Sequence, residues 1–239
     1  MLHQLSLNSA AIRSEPSHRS EMVNQLLFGE SFTVLEESGS WSKIRSNHDA
    51  YTGWMETTIV QSSLQQSYKQ DRILTTTFYS DRLNTLLSPG SFIDKNDPES
   101  LSCHFPNSEF TISEALNLIS KNFLNVPYLW GGRTVFGVDC SGLSQLFLRF
   151  CGLNIMRDAS EQSDMGLTIP FEELKLGDLL FFHNDKYKIV HVAIVFSTTK
   201  VIHASGKVHL ANFDQQGIYI HSNSYTHNFA FAKRLLNTI

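Results

Sequence analysis

From Thr111 to Leu124 the chain reads TISEALNLISKNFL, with Ala115, Leu118, Ile119 and Phe123 at the spacing of one helix face. Thr111 or Ser113 supplies the cap, and Val126-Pro127 ends the pattern. A second helical pattern starts at Ser141, where Leu143, Leu146, Phe147 and Phe150 recur and Gly152 marks the stop. Between the two lies a glycine-rich stretch, YLWGGRTVFGVD, and Cys140 stands where that loop becomes helix. A short helix opens at Arg157–Gln162, and Gly177-Asp178 turns the chain into strands. Strands are expected at 179–183, 189–197, 200–204, 207–211, 217–220 and 229–235. Helices followed by antiparallel strands predict an α+β domain, with helices packed on the sheet, over residues 105–239.

The first part of the chain has a different rhythm. Gln25–Leu35 (QLLFGESFTVL) is apolar, turn, apolar, and Trp41–Arg45 and Tyr51–Met55 alternate. Short strands with such breaks predict a small β-barrel over residues 1–60. Residues 61–104 hold a polar run, SSLQQSYKQ, then RILTTTFYS and TLLSPGSFI as strands around a Pro-Gly turn, with a further turn at 96–98.

Composition narrows the classes. With 41% hydrophobic and 18% charged residues the chain is globular. A net charge of −4 without a basic stripe argues against nucleic acid and an anionic membrane as partners. The three cysteines, Cys103, Cys140 and Cys151, are an odd number without scaffold spacing, which points to a reducing compartment. The N-terminus lacks a basic, apolar leader, and no apolar run approaches the roughly 18 residues of a membrane span. A cytoplasmic location is expected. No C-x-x-C or H-E-x-x-H occurs, so neither a metal site nor a cofactor is expected.

Cys140 carries the chemistry. In the first turn of a helix it feels the positive end of the dipole, which favours thiolate over thiol. A cysteine nucleophile needs a base and a group that orients the base. Ile189–Gly206 (IVHVAIVFSTTKVIHASG) offers His191 and His203 in apolar strand patterns, at parities that let both face the cysteine helix. The competing reading is a buried small cysteine and two hydrogen-bonded core histidines. Trp130 reads as a core aromatic, and His209, His221 and His227 as surface or loop residues.

PYLWGG, DCSGL, LKLGDLLFF, HVAIV and VIHASG, in this order, resemble the NlpC-type cysteine peptidases of bacterial cell-wall metabolism. The resemblance implies a papain-like domain with Cys140 as nucleophile, His191 as base, His203 as its orienting residue and Tyr128 near the oxyanion. LLFGE…VLEESGSWSKIR…YTGWM resembles a bacterial SH3-like domain, and residues 61–104 read as a linker or a second partial unit of that kind. Similarity to SH3-containing members that trim murein peptides implies cleavage between D-γ-glutamate and an L-diamino acid, in a tripeptide or tetrapeptide with free N-terminal L-alanine. It implies Asp158 at the amine, Asp139 and Ser141 beside the cysteine, and Glu21 and Tyr51 reaching in from the first domain to close one end of the groove. The rivals are an exported hydrolase of intact wall and an inactive wall-binding module.

Overall fold

The computed structural model describes residues 2–64, 72–94, 96, 99, 110–221 and 224–236. Expectations for most of the polar run before residue 72, for the turn at 97–98 and for Cys103 lie outside the described residues. The chain forms two compact units: Met1–Ser108 with Leu129–Gly137, and Glu109–Tyr128 with Val138–Ile239.

In unit 1, β1 (Leu2–Gln4), β2 (Ser9–Arg13), β3 (Met22–Leu27), β4 (Ser31–Ser38), β5 (Trp41–Ser46) and β6 (Thr52–Glu56) make one antiparallel sheet, ordered β1-β4-β5-β6-β2-β3. Alternating positions fill its core with Leu5, Ile12, Leu26, Phe32, Ile44 and Met55. The break in QLLFGESFTVL falls at Gly29, whose φ of 79° and 2.3 Å approach of a notional Cβ to the Phe92 carbonyl admit only glycine. A helix that the sequence pattern did not announce, α1 (Thr57–Ser62), follows β6. Two short ladders, β7 (Arg72–Ile73) with β10 (Phe92–Ile93) and β8 (Phe78–Ser80) with β9 (Thr85–Leu87), enclose Leu74, Leu87 and Ile93 against Phe28. They therefore share a core with the turn after β3.

The second piece of unit 1 carries β11 (Arg133–Thr134). Arg133 is fully buried and meets Glu30, also fully buried, through two bonds at 2.9 and 3.0 Å. Its N–H donates to Gln25 Oε1 at 2.8 Å. The sequence reading placed Leu129–Gly137 wholly with the second domain; its packing is with unit 1 because Arg133 finds its carboxylate there. Trp130, expected in a core, is 55% exposed.

In unit 2, α2 (Ile112–Phe123) begins with a capping box: Thr111 Oγ1 accepts the Glu114 N–H and the Glu114 carboxylate accepts the Thr111 N–H. It buries Ala115, Leu116, Ile119 and Phe123. Then come β12 (Gly137–Val138), α3 (Cys140–Phe150) and α4 (Ala159–Gln162). The strands are β13 (Leu167–Ile169), β14 (Leu179–His183), β15 (Ile189–Val195), β16 (Lys200–Ser205), β17 (Lys207–Phe213), β18 (Gly217–His221) and β19 (Ser224–Arg234). They pair antiparallel in the order β13-β19-β14-β15-β16-β17-β18, and β18 also pairs with β19, so the sheet closes on itself. Helix α3 packs on β15 and β16 and is buried all round. Polar side chains bond inside: Ser144 Oγ donates to Gln162 Oε1 at 2.6 Å and Gln145 Nε2 donates to the Ile155 carbonyl at 3.0 Å. Among the described residues no helix is long and apolar enough to cross a membrane.

Candidate active site

Asp139 caps α3, its Oδ1 accepting the Gly142 N–H at 2.7 Å. The cap fixes the first turn and sets Cys140 at the first helical position, 6% exposed. The ladder between β15 and β16 runs Ile194↔Ile202 and Val195↔Val201. Val192 lies past it, and its N–H is close enough to the Cys140 sulfur to favour the thiolate. The sulfur thus lies near the backbone of the residue next to His191.

Burial, reinforced by the Asp139 carboxylate, pushes the Cys140 thiol up to about 12, against weaker opposing pulls from the Val192 N–H and Arg157. Desolvation thus outweighs the first-turn dipole and favours the thiol over the expected thiolate.

His191 and His203 are 6% and 1% exposed, and His191 Nε2 lies 2.9 Å from His203 Nδ1. Burial first, then the neighbouring imidazoles, holds His191 well below its ordinary value, and the same causes bring His203 down to about 3. Both rings are neutral at pH 7. Two further histidines join them. His209, opposite His203 in the β16–β17 ladder, brings its Nε2 to 3.2 Å from His203 Nε2. His227 stacks on His191 with ring centroids 4.2 Å apart. The sequence reading left both on the surface or in loops. Strand β19 starts at Ser224 and not at 229, which brings His227 into the sheet, and the cross-strand register brings in His209.

Tyr128 is half-buried, and its backbone bridges to Val138. Burial first, then the charges of Cys140 and Asp139, raises its hydroxyl above the ordinary value, so it stays a donor. Asp139 and Ser141 are tied to a residue the sequence reading passed over. Arg157, 1% exposed, reaches Asp139 Oδ1 at 3.0 Å and Oδ2 at 2.6 Å, and Ser141 Oγ at 2.7 Å. This bidentate pair anchors the loop ahead of α4 to the cap of α3. Asp158 is half-buried at the N-cap of α4, its N–H on Glu161 Oε2 at 3.4 Å. Glu21 and Tyr51 belong to unit 1: Glu21 is exposed just before β3, and Tyr51 is half-buried, its N–H on Asp49 Oδ1 at 3.1 Å.

His191, His203 and His227 each offer a ring nitrogen within 4.8 Å of the others. Two of these rings already face each other across a 2.9 Å hydrogen bond. In such a bond the lone pair and the N–H lie along the N···N line, whereas a tetrahedral cation needs lone pairs aimed at a common centre. The arrangement suits proton traffic better than a metal.

The profile of the NlpC/P60 family matches residues 125–232, and that of the bacterial dipeptidyl-peptidase Sh3 domain matches residues 12–58. A gamma-D-glutamyl-L-lysine dipeptidyl-peptidase of Bacillus cereus is 26% identical over 92% of this chain and 77% of its own length. The probable endopeptidase NlpC of Escherichia coli is 30% identical over 49% of this chain and 77% of its own length. The crystal structure of an NlpC/P60 family protein from Bacillus cereus superposes with a TM-score of 0.80, covering 99% of this chain and 100% of that one at 20% identity, which shows a common fold. With a relative 30% identical over most of its own length, the chain belongs to the NlpC/P60 family.

Proposed function

We propose that the chain is a cysteine peptidase that cuts the bond between D-γ-glutamate and the L-diamino acid in murein peptides with a free N-terminal L-alanine, in the cytoplasm, during wall recycling. The observation that carries this reading is the placement of Cys140 at the head of α3, near the Val192 N–H of the strand that bears His191, whose Nε2 pairs with His203 Nδ1. The names of the relatives, among them a gamma-D-glutamyl-L-lysine dipeptidyl-peptidase, support the substrate class.

The resting pair is neutral, so proton transfer accompanies attack. His191 takes the thiol proton as sulfur bonds to the γ-carbonyl carbon. The Tyr128 hydroxyl and the Cys140 N–H receive the oxyanion. The C–N bond breaks, the proton passes from His191 to the leaving amine, and L-Ala-γ-D-Glu stays on sulfur as a thioester. Water, deprotonated by His191, releases it as the free dipeptide and restores the thiol. Asp158 receives the substrate's ammonium. Asp139 and Ser141 line the pocket beside the sulfur, and Arg157 holds them in place.

The test incubates the protein with L-Ala-γ-D-Glu-L-lysine and with the meso-diaminopimelate peptide, each with free and acylated N-termini, and follows products by mass. Release of L-Ala-γ-D-Glu from free peptides alone, abolished by Cys140→Ala and retained by Cys151→Ala, is expected. Activity surviving Cys140→Ala would reject the nucleophile.

A further inference from the structure

The imidazoles beyond the base form a directed chain, and its direction is set at the far end. His209 Nδ1 lies 2.9 Å from the Lys207 carbonyl. A carbonyl oxygen only accepts, so Nδ1 carries the proton. In a neutral ring Nε2 is then bare, and its partner at 3.2 Å, His203 Nε2, must donate. Neutral His203 is left with a bare Nδ1, which accepts from His191 Nε2 at 2.9 Å. The nitrogen that remains bare is His191 Nδ1, the atom a base needs for the thiol proton. Burial keeps the two inner rings neutral, so each holds one proton and the direction is unique.

We propose that His209 is a positioning residue that fixes the tautomer of His191 through His203, and that a second proton on His209 reverses the chain and switches the peptidase off. With both nitrogens protonated, His209 Nε2 becomes a donor. His203 Nε2 must then accept and its proton moves to Nδ1. His191 Nε2 must accept in turn, and its proton moves to Nδ1, where it blocks the base. One proton has entered, at His209; the inner rings keep one each, on the other nitrogen.

His209 is half-exposed, whereas His191 and His203 are buried, so the outer ring is the one that meets solvent. The groups facing it are imidazoles: His203 from β16, His227 from β19 and, beyond His203, His191 from β15. On its own strand the Lys207 ammonium is held by Asn125 Oδ1 at 2.8 Å. Strand β18 pairs with β17 further along, at Asn212↔Tyr219 and Phe213↔Ile218.

This inference rests on His191 as the base, but its first readout needs no substrate. In the full chain labelled with 15N-histidine, two-bond 1H–15N spectra report which nitrogen of each ring is bare. At pH 8 the wild type should show His191 with Nε2 protonated and Nδ1 bare, changing over as His209 gains its second proton. His209→Lys can only donate, and should hold His191 in the reversed tautomer at every pH. Its kcat on the murein peptide should fall by up to about 10⁴-fold, the loss seen when a catalytic imidazole is held in the wrong tautomer. His209→Gln does not titrate, and its carboxamide oxygen offers an acceptor to His203 Nε2; it should restore the productive tautomer and remove the wild type's acid limb. A bare His191 Nδ1 in His209→Lys, or an unchanged acid limb in His209→Gln, would overturn the proposal. Should the lysine variant fail to fold, the glutamine variant's pH profile decides alone. Tautomers that behave as expected without peptide cleavage would reject the proposed reaction and leave the chain of imidazoles standing.

Discussion

Cys140 keeps its proton at neutral pH for the reason that it is protected: the site is dry and a carboxylate stands beside it. In the free protein, alkylation of Cys140 by iodoacetamide should rise about tenfold per pH unit from pH 7 to 10, with no plateau, because the thiol titrates near 12. Mass analysis of the Cys140 peptide measures this, and a plateau near pH 7 would mean that a thiolate–imidazolium pair forms before substrate arrives. Cys140, His191 and His203 stood out as candidates because a cysteine at a helix start, followed by histidines in apolar strands, is chemically unusual, and the structure pairs the two histidines. Arg157 was not. An arginine opening a short polar helix reads as surface, and only its pairing with Asp139, 18 residues earlier, explains a guanidinium that is 1% exposed.

The sheet strands impose a cost that the site exploits. His191 and His203 are neutral when folded and protonate near the ordinary histidine value, 6.5, when unfolded. Depressed pKa values contribute stability that is present above pH 6.5 and is lost as pH falls toward about 3, where His203 titrates in the folded state. Each ring contributes up to about 1.4 kcal/mol per pH unit within that window. Urea unfolding at pH 7.5, 6.5 and 5.5 should show unit 2 losing stability with acid, and His203→Asn should flatten the slope. At this scale the sequence revealed the helices and most strands, through periodicity and through Gly152 and Gly177, both at positive φ. It did not reveal that α3 is buried all round, because Ser144 and Gln145 look like a wet face until Gln162 and the Ile155 carbonyl are seen to satisfy them. Nor did it reveal the four-imidazole cluster, since parity places residues on a face without naming their cross-strand neighbours.

At the scale of the molecule, unit 1 is assembled from two pieces of chain, Met1–Ser108 and Leu129–Gly137, held by a fully buried ion pair. A reading that moves along the sequence assigns contiguous domains, so a partner for Glu30 more than a hundred residues away was out of its reach. Arg133→Met should cost unit 1 about 3–5 kcal/mol, the range for removing one partner of a buried ion pair, and Glu30→Gln in the same chain should recover part of it. Chemical denaturation followed through a unit 1 probe such as Trp41 measures both; a change under about 1 kcal/mol in Arg133→Met would show that water reaches the carboxylate.

The split has a practical consequence for anyone dissecting or recombining this chain. Cutting away residues 1–60 removes Glu30 and Gln25 and strands a guanidinium inside the loop that leads to Cys140. Such a truncation therefore reports damage to that loop as well as the loss of a domain. A transplant of unit 1 must carry a discontiguous cassette, and shuffling by simple end-to-end fusion would leave one half of its lock behind.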